Sequence, residues 1–169
     1  GKELVGLHYS APFDSLPIVQ SAREEKPNTF HKVIDASGVV VSTDGTGLLH
    51  VAPGCGKEDF DLSKKEHLSV ISPIDDTATY TDGLGEFSGK SAKKHPELII
   101  DYLKDLESGK FLFKTLHYTH RYPACWRCKT ELVWKVTDEW YIAMDKSEYG
   151  KGKTLRMQMV ETAKMIAWH

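Results

Sequence analysis

Residues 44–60 read DGTGLLHVAPGCGKEDF. Asp44, Gly45, Thr46 and Gly47 form a turn, since glycine enters the left-handed region without steric cost. The apolar run 48–52 then reads as a buried strand carrying His50. Residues 53–56, Pro-Gly-Cys-Gly, break that strand, and 57–67 is a short helix with Asp59 in its first turn. Gly54 and Gly56 let backbone come close to a ligand, and the helix that follows presents free N–H groups near the same place. His50 and Asp59 stand on opposite sides of the loop and can face one pocket. A carboxylate there suits an ammonium group; an imidazole suits a hydroxyl or a water. The plainer reading of each residue is a satisfied core histidine and an acid that complements the helix dipole. A dinucleotide site is excluded, because the glycine turn leads into a strand instead of opening a helix.

Outward from this segment the chain alternates short β-rich runs with a few helices. Strands are expected over 4–9, 30–34, 39–43, 48–52, 70–74, 111–115, 132–136 and 140–144, with 39–52 as a hairpin. Residues 21–28, SAREEKPN, read as an exposed connection. Helices are expected over 93–108, with Leu98, Ile99, Tyr102, Leu103 and Leu106 as one apolar stripe and Gly109 at its end, and over 154–168. The four tryptophans, Trp126, Trp134, Trp140 and Trp168, read as packing residues. The class is α+β: a small β-barrel with peripheral helices.

A net charge of −2 argues against a protein that grips long nucleic acid through phosphates, so RNA contact is expected to be local. Two basic clusters, Lys90, Lys93, Lys94 and His95, then Lys151, Lys153 and Arg156, read first as solvated faces. No apolar run approaches the roughly 18 residues of a membrane span, and no signal peptide opens the sequence. Three cysteines make no disulfide framework; the reading is a cytoplasmic protein without a membrane partner. Cys125 and Cys128 form a CxxC, the spacing with which two thiolates hold one corner of a zinc site. One pair is half a site. His117 and His120 are the nearby residues able to complete it; otherwise the two are reduced thiols in a hairpin. A redox CxxC lacks its βαβ context, and Cys55 is an incidental small residue.

GTGLLHVAPGCGKEDF closely resembles the GTG-x-x-H-x-AP-x-x-G-x-x-D-aromatic signature of the editing domains of isoleucyl-tRNA synthetases, class I enzymes. VISPIDD at 70–76, YTHRYPACWRCKT at 118–130 and EWYIAMD at 139–145 are similar to further family segments in the same order, and residues 4–14 match more weakly. The valyl and leucyl enzymes tend to read PAHD at the central loop, where this chain reads PGCG. The resemblance implies an editing (connective polypeptide) domain over 1–137, including the CxxC hairpin, and a connector over 138–169 returning to the catalytic domain. It implies hydrolysis of mischarged valyl-tRNA(Ile), and of valyl-adenylate, with the tRNA 3′ end and the remainder of the synthetase as partners. Asp59 would anchor the substrate's α-ammonium group and His50 would shape the pocket, with Gly45, Thr46, Gly47, Gly54 and Gly56 forming the surrounding loops. Editing would need no cofactor; a structural zinc at Cys125 and Cys128 would need the family's second, upstream CxxC.

The chain departs from the family in two respects. The threonine-rich segment that forms one wall of the family's pocket has no counterpart here, and neither do the adenylate-forming HIGH and KMSKS signatures. The polypeptide alone is therefore not expected to charge tRNA. The rival reading is a non-catalytic, zinc-stapled connector that positions the tRNA 3′ end; the editing domain of a valyl or leucyl enzyme is the alternative within the same class.

Overall fold

A computed structural model describes residues 1–36, 38–40, 45–147 and 152–167. It divides into two compact units, Gly1–Val136 and Thr137–His169. Four α-helices stand among the described residues: α1 (Pro17–Glu25), α2 (Lys57–Glu66), α3 (Glu97–Asp105) and α4 (Leu155–Lys164).

Each helix has a local reason. Pro17 occupies the first turn of α1, where a missing N–H costs nothing and its fixed φ suits the helix. Val19 and Ala22, three apart on one face, are buried. α2 starts at Gly56, carries Glu58 and Asp59 in its first turn and Lys64 and Lys65 in its last, and so matches its dipole at both ends. His67 closes it in the left-handed conformation (φ 56°). α3 ends at Leu106, where a 3-10 turn over Leu106–Gly109 forces Glu107 and Ser108 to positive φ. Thr154 caps α4 through its hydroxyl, which accepts from Met157 N at 3.2 Å.

The core lies in the first unit. Phe87, 2% exposed, sits at its centre with Leu16, Val19, Ala22, Phe30 and Leu84 around it. The Phe87 ring meets Tyr102 edge-on at 5.1 Å and Phe13 at 6.3 Å, while Phe13 and Tyr102 stack at 5.6 Å. Three side-chain donors bind α1 and the turn after it to the exit of α2. Lys26 Nζ donates to Leu68 O (3.0 Å), Thr29 Oγ1 to His67 O (3.2 Å) and Ser69 Oγ to Ala22 O (2.9 Å).

The expected barrel does not form. Among the described residues there is no β-strand, only isolated antiparallel bridges: His8 with Lys32, Ile74 with Tyr80, Thr79 with Ser91 and Ala124 with Glu131. Residues 4–9 and 30–34 come closest to a ladder, with Gly6 N to Val33 O, Val33 N to Leu7 O and Tyr9 N to His31 O. The runs 70–74 and 132–136 find only single bridging contacts at their ends, Ile74 with Tyr80 and Leu132 N with Pro123 O, and an isolated bridge is too little to hold a sheet. The chain is mostly irregular, with helices. The hairpin at 39–52 lies partly outside the described residues. The tryptophans are not packed: Trp126, Trp134 and Trp140 are all exposed, Trp140 completely, and Trp168 lies outside the described residues. Residues 21–25, expected as part of a connection, belong to α1. No helix among the described residues is long and apolar enough to cross a membrane.

Candidate functional site

Gly45 and Gly47 both have left-handed φ, 67° and 70°, which the turn requires of them. The Thr46 hydroxyl accepts from Leu48 N at 3.3 Å and holds the turn between them. Beyond it, Cys55 N donates to Ala52 O at 2.9 Å, closing the Pro-Gly-Cys loop, and Phe60 N to Gly56 O at 2.9 Å begins α2. Gly54 is buried, and a Cβ built on it would lie 2.0 Å from the Ile71 carbonyl oxygen. Backbone passes against backbone here, so glycine is required by close approach and not by an unusual φ.

Asp59 bends back onto this loop. Its Oδ2 accepts from Ala52 N at 3.0 Å and lies 3.3 Å from where a Gly56 Cβ would stand. Burial, then the Asp59 charge, push the Cys55 thiol up from its ordinary range, which favours the protonated thiol over the thiolate. No cation pairs with Asp59 among the described residues. The geometry gives the carboxylate a structural task, closing the loop, and leaves its charge uncompensated.

His50 does not join Asp59 in a hydrogen bond or ion pair. Residues 48–50 are irregular and exposed, Leu48 at 60%, where a buried strand was expected. His50 lies instead close enough to His31 to act on it electrostatically.

His31 belongs to a cluster that sequence reasoning missed. A cavity of about 250 Å³ is lined by His8, Tyr9, Asp14, Arg23 and Phe30 together with His31. His31 has φ 45°, a left-handed backbone that few residues other than glycine adopt, although histidine does so more readily than most. The Tyr9 ring stacks on the His31 ring at 4.9 Å and 14°, and the Phe30 ring lies 4.1 Å from it. Arg23 Nη2 bonds Asp14 Oδ2 at 2.8 Å while its guanidinium lies 5.3 Å from the Phe30 centroid. His31 Nδ1 lies 3.1 Å from Asp14 Oδ1, but off line: both atoms are buried without a hydrogen-bond partner. Burial lowers the His31 pKa from 6.5; Asp14 opposes this, while Arg23 and His50 add to it. Burial, aided by Asp14, raises Tyr9. The only trace of this cluster in the sequence is the paired β-rich runs 4–9 and 30–34, which bring His8 and His31 together.

Cys125 and Cys128 occupy a tight turn. Cys125 N donates to Thr130 O at 2.8 Å, Lys129 N donates to Cys125 O at 2.9 Å, and Lys129 takes φ 61°. Hydrogen bonds from the Thr130 hydroxyl and amide, then from Cys125, bring Cys128 down to about 7. The pair fits two corners of a tetrahedral thiolate site. Among the described residues no group of three or more His, Cys, Asp or Glu gathers to hold a metal, so His117 and His120 do not complete it. His120 Nδ1 faces Arg121 O at 3.0 Å, and its ring stacks on Tyr118.

The second basic cluster is largely neutralised: Lys153 pairs with Glu161 at 2.7 Å and Arg156 with Asp145 at 2.6 Å. Lys151 lies outside the described residues. In the first cluster, Lys93 contacts the Glu131 carbonyl and His95 pairs with Glu97.

No family model matches the chain. It is 38% identical over 146 residues to the isoleucine–tRNA ligase of Sulfolobus acidocaldarius, covering 86% of this chain and 13% of that protein. It is 42% identical over 147 residues to that of Pyrococcus furiosus, again 86% and 13%. With the ligase of Methanothermobacter thermautotrophicus it shares 38% over 157 residues, 92% of this chain and 14% of the relative. The chain thus spans about an eighth of the length of these relatives.

Proposed function

Since this chain belongs to the isoleucine–tRNA ligase family, we propose that it is the editing module of such an enzyme, hydrolysing valyl-tRNA(Ile) and valyl-adenylate in the cytoplasm. The observation that carries this reading is Asp59. Its carboxylate closes the glycine loop, has no counter-cation among the described residues, and stands at the start of a helix whose first N–H groups have no side-chain cap. An α-ammonium group is the natural partner of that charge, and the amides beside it suit a developing oxyanion. The substrates are already activated, so hydrolysis needs a positioned water more than a side-chain nucleophile; the raised Cys55 thiol agrees with that. Editing exists because an apolar pocket gains only about 1–3 kcal/mol from one methylene, a limit for which isoleucyl enzymes are themselves the standard illustration.

On this reading the tRNA 3′ end and the rest of the synthetase are the partners. Cys125 and Cys128 supply half of a structural zinc site, with the other ligands outside the described residues, and the ion would fix the turn without entering the reaction. One observation favours the second reading, a connector that positions the tRNA end without hydrolysis: Leu48, Leu49 and His50 are exposed, so no wall encloses them among the described residues.

Release of valine from valyl-tRNA by the purified protein, beside isoleucyl-tRNA, separates the two. Asp59→Asn keeps an oxygen for Ala52 N–H and removes the charge. Valine-selective release that drops at least tenfold in this variant is expected. Release that is indifferent to the amino acid or to Asp59 would sink the editing reading, and tRNA binding without turnover would favour the connector.

A further inference from the structure

We propose that the cavity beside α1, between His8, Tyr9 and Arg23, binds a single nucleotide whose base carries the 6-amino group of adenine or the 4-amino group of cytosine, together with its phosphate. The three walls divide the recognition among them. The Tyr9 ring is backed on one side by His31 at 4.9 Å and is half exposed on the whole, so its outer face is a fixed, open platform for a flat base. His8 Nδ1 lies 3.1 Å from Phe30 O. A carbonyl only accepts, so Nδ1 carries the hydrogen and Nε2 is left as an acceptor in the neutral ring. An amino group on the base meets that acceptor; a base offering only a carbonyl at the same place does not. Arg23 gives one N–H to Asp14 and keeps the rest of its planar fork, which suits phosphate oxygens.

The surroundings make the platform rigid. His31 is pinned between Tyr9 and Phe30, and Arg23 is held by Asp14 on one side and Phe30 on the other. A volume of about 250 Å³ admits a base with its sugar. None of these side chains belongs to the glycine loop, yet His50 acts on His31, so a nucleotide held here would stand near the end of that loop. Binding at this site requires no hydrolysis; only its assignment to an RNA terminus rests on the editing reading.

The test is an NMR titration of the full chain, following the imidazole signals of His8 and His31. AMP and CMP are expected to shift them saturably; UMP, IMP and ribose 5-phosphate are expected to bind at least fivefold more weakly. Tyr9→Leu should weaken AMP about tenfold, within the range of base–aromatic stacking, whereas Tyr9→Phe, which keeps the ring, should bind as the parent does. Ribose 5-phosphate binding as well as AMP, UMP matching CMP, or loss of binding in Tyr9→Phe would each overturn the proposal. Tighter binding of an oligonucleotide ending in adenosine than of AMP supports the site as the seat of an RNA end; equal affinity supports it as a free-nucleotide site. The readout needs no turnover. Absent AMP shifts with intact valyl-tRNA hydrolysis therefore refute this site alone, and AMP shifts without hydrolysis refute the editing reading alone.

Discussion

Two stretches of the first unit have similar apolar content and opposite fates. Around Phe87, the aromatic and aliphatic side chains of α1, α3 and the 80–90 segment close on one another. Along residues 111–136, Phe113, Leu116, Tyr118 and Trp126 are exposed, Phe113 entirely. The difference is partnership, not composition. A helix makes its hydrogen bonds within itself and needs only a surface to bury one stripe. An extended segment makes none until a second one lies beside it, and here only the 123–132 turn finds a mate.

The largest test of this contrast is a pair of truncations. Phe87→Ala should cost about 3–5 kcal/mol, read from urea denaturation, while Phe113→Ala should stay within about 0.5 kcal/mol. Comparable costs at the two positions would erase the distinction. Gly54→Ala comes next. Its Cβ would stand 2.0 Å from Ile71 O, and the backbone shift should cost about 1–3 kcal/mol; a neutral result would show that the loop and the 71 region are not in contact.

A smaller effect follows from His31. Its folded pKa lies below 6.5, so between the two values the unfolded chain binds more protons than the folded one. Stability is then complete above about pH 6.5 and declines as the pH falls toward the folded pKa. His31→Asn, which tolerates the left-handed backbone, should flatten that part of the pH–stability curve; an unchanged slope would clear His31 of responsibility. The smallest effect on stability, essentially none, belongs to Cys128. In metal-free protein its alkylation by iodoacetamide should rise with a midpoint near pH 7, ahead of Cys55, whose thiol is pushed up. Faster labelling of Cys55 would contradict the hydrogen bonding at the turn.

The sequence told helices from strands unevenly, for the same physical reason. α2, α3 and α4 were legible in their apolar spacing and caps, because those signals are local. α1 was not: Pro12, Pro17 and the charges after Ser21 read as loop, although Pro17 is a helix-start signal once Val19 and Ala22 are seen to share a face. The strands were legible only as propensity, and propensity does not provide a neighbour. At the candidate site, the glycine turn and the position of Asp59 on α2 followed from spacing. The return of Asp59 to Ala52, the exposure of His50 and the His8–His31 cavity depended on contacts between segments up to 23 residues apart, which no local pattern announces.

The three bonds from Lys26, Thr29 and Ser69 have a mechanical meaning. They fasten the helix that carries Arg23 to the tail of the helix that carries Asp59, two through the His67 and Leu68 carbonyls at the αL turn and one in the opposite direction, from Ser69 to the Ala22 carbonyl of α1. The two helices should therefore breathe together: amide exchange at their facing ends should slow in step, and cutting the latch with Ser69→Ala should let one helix open without the other.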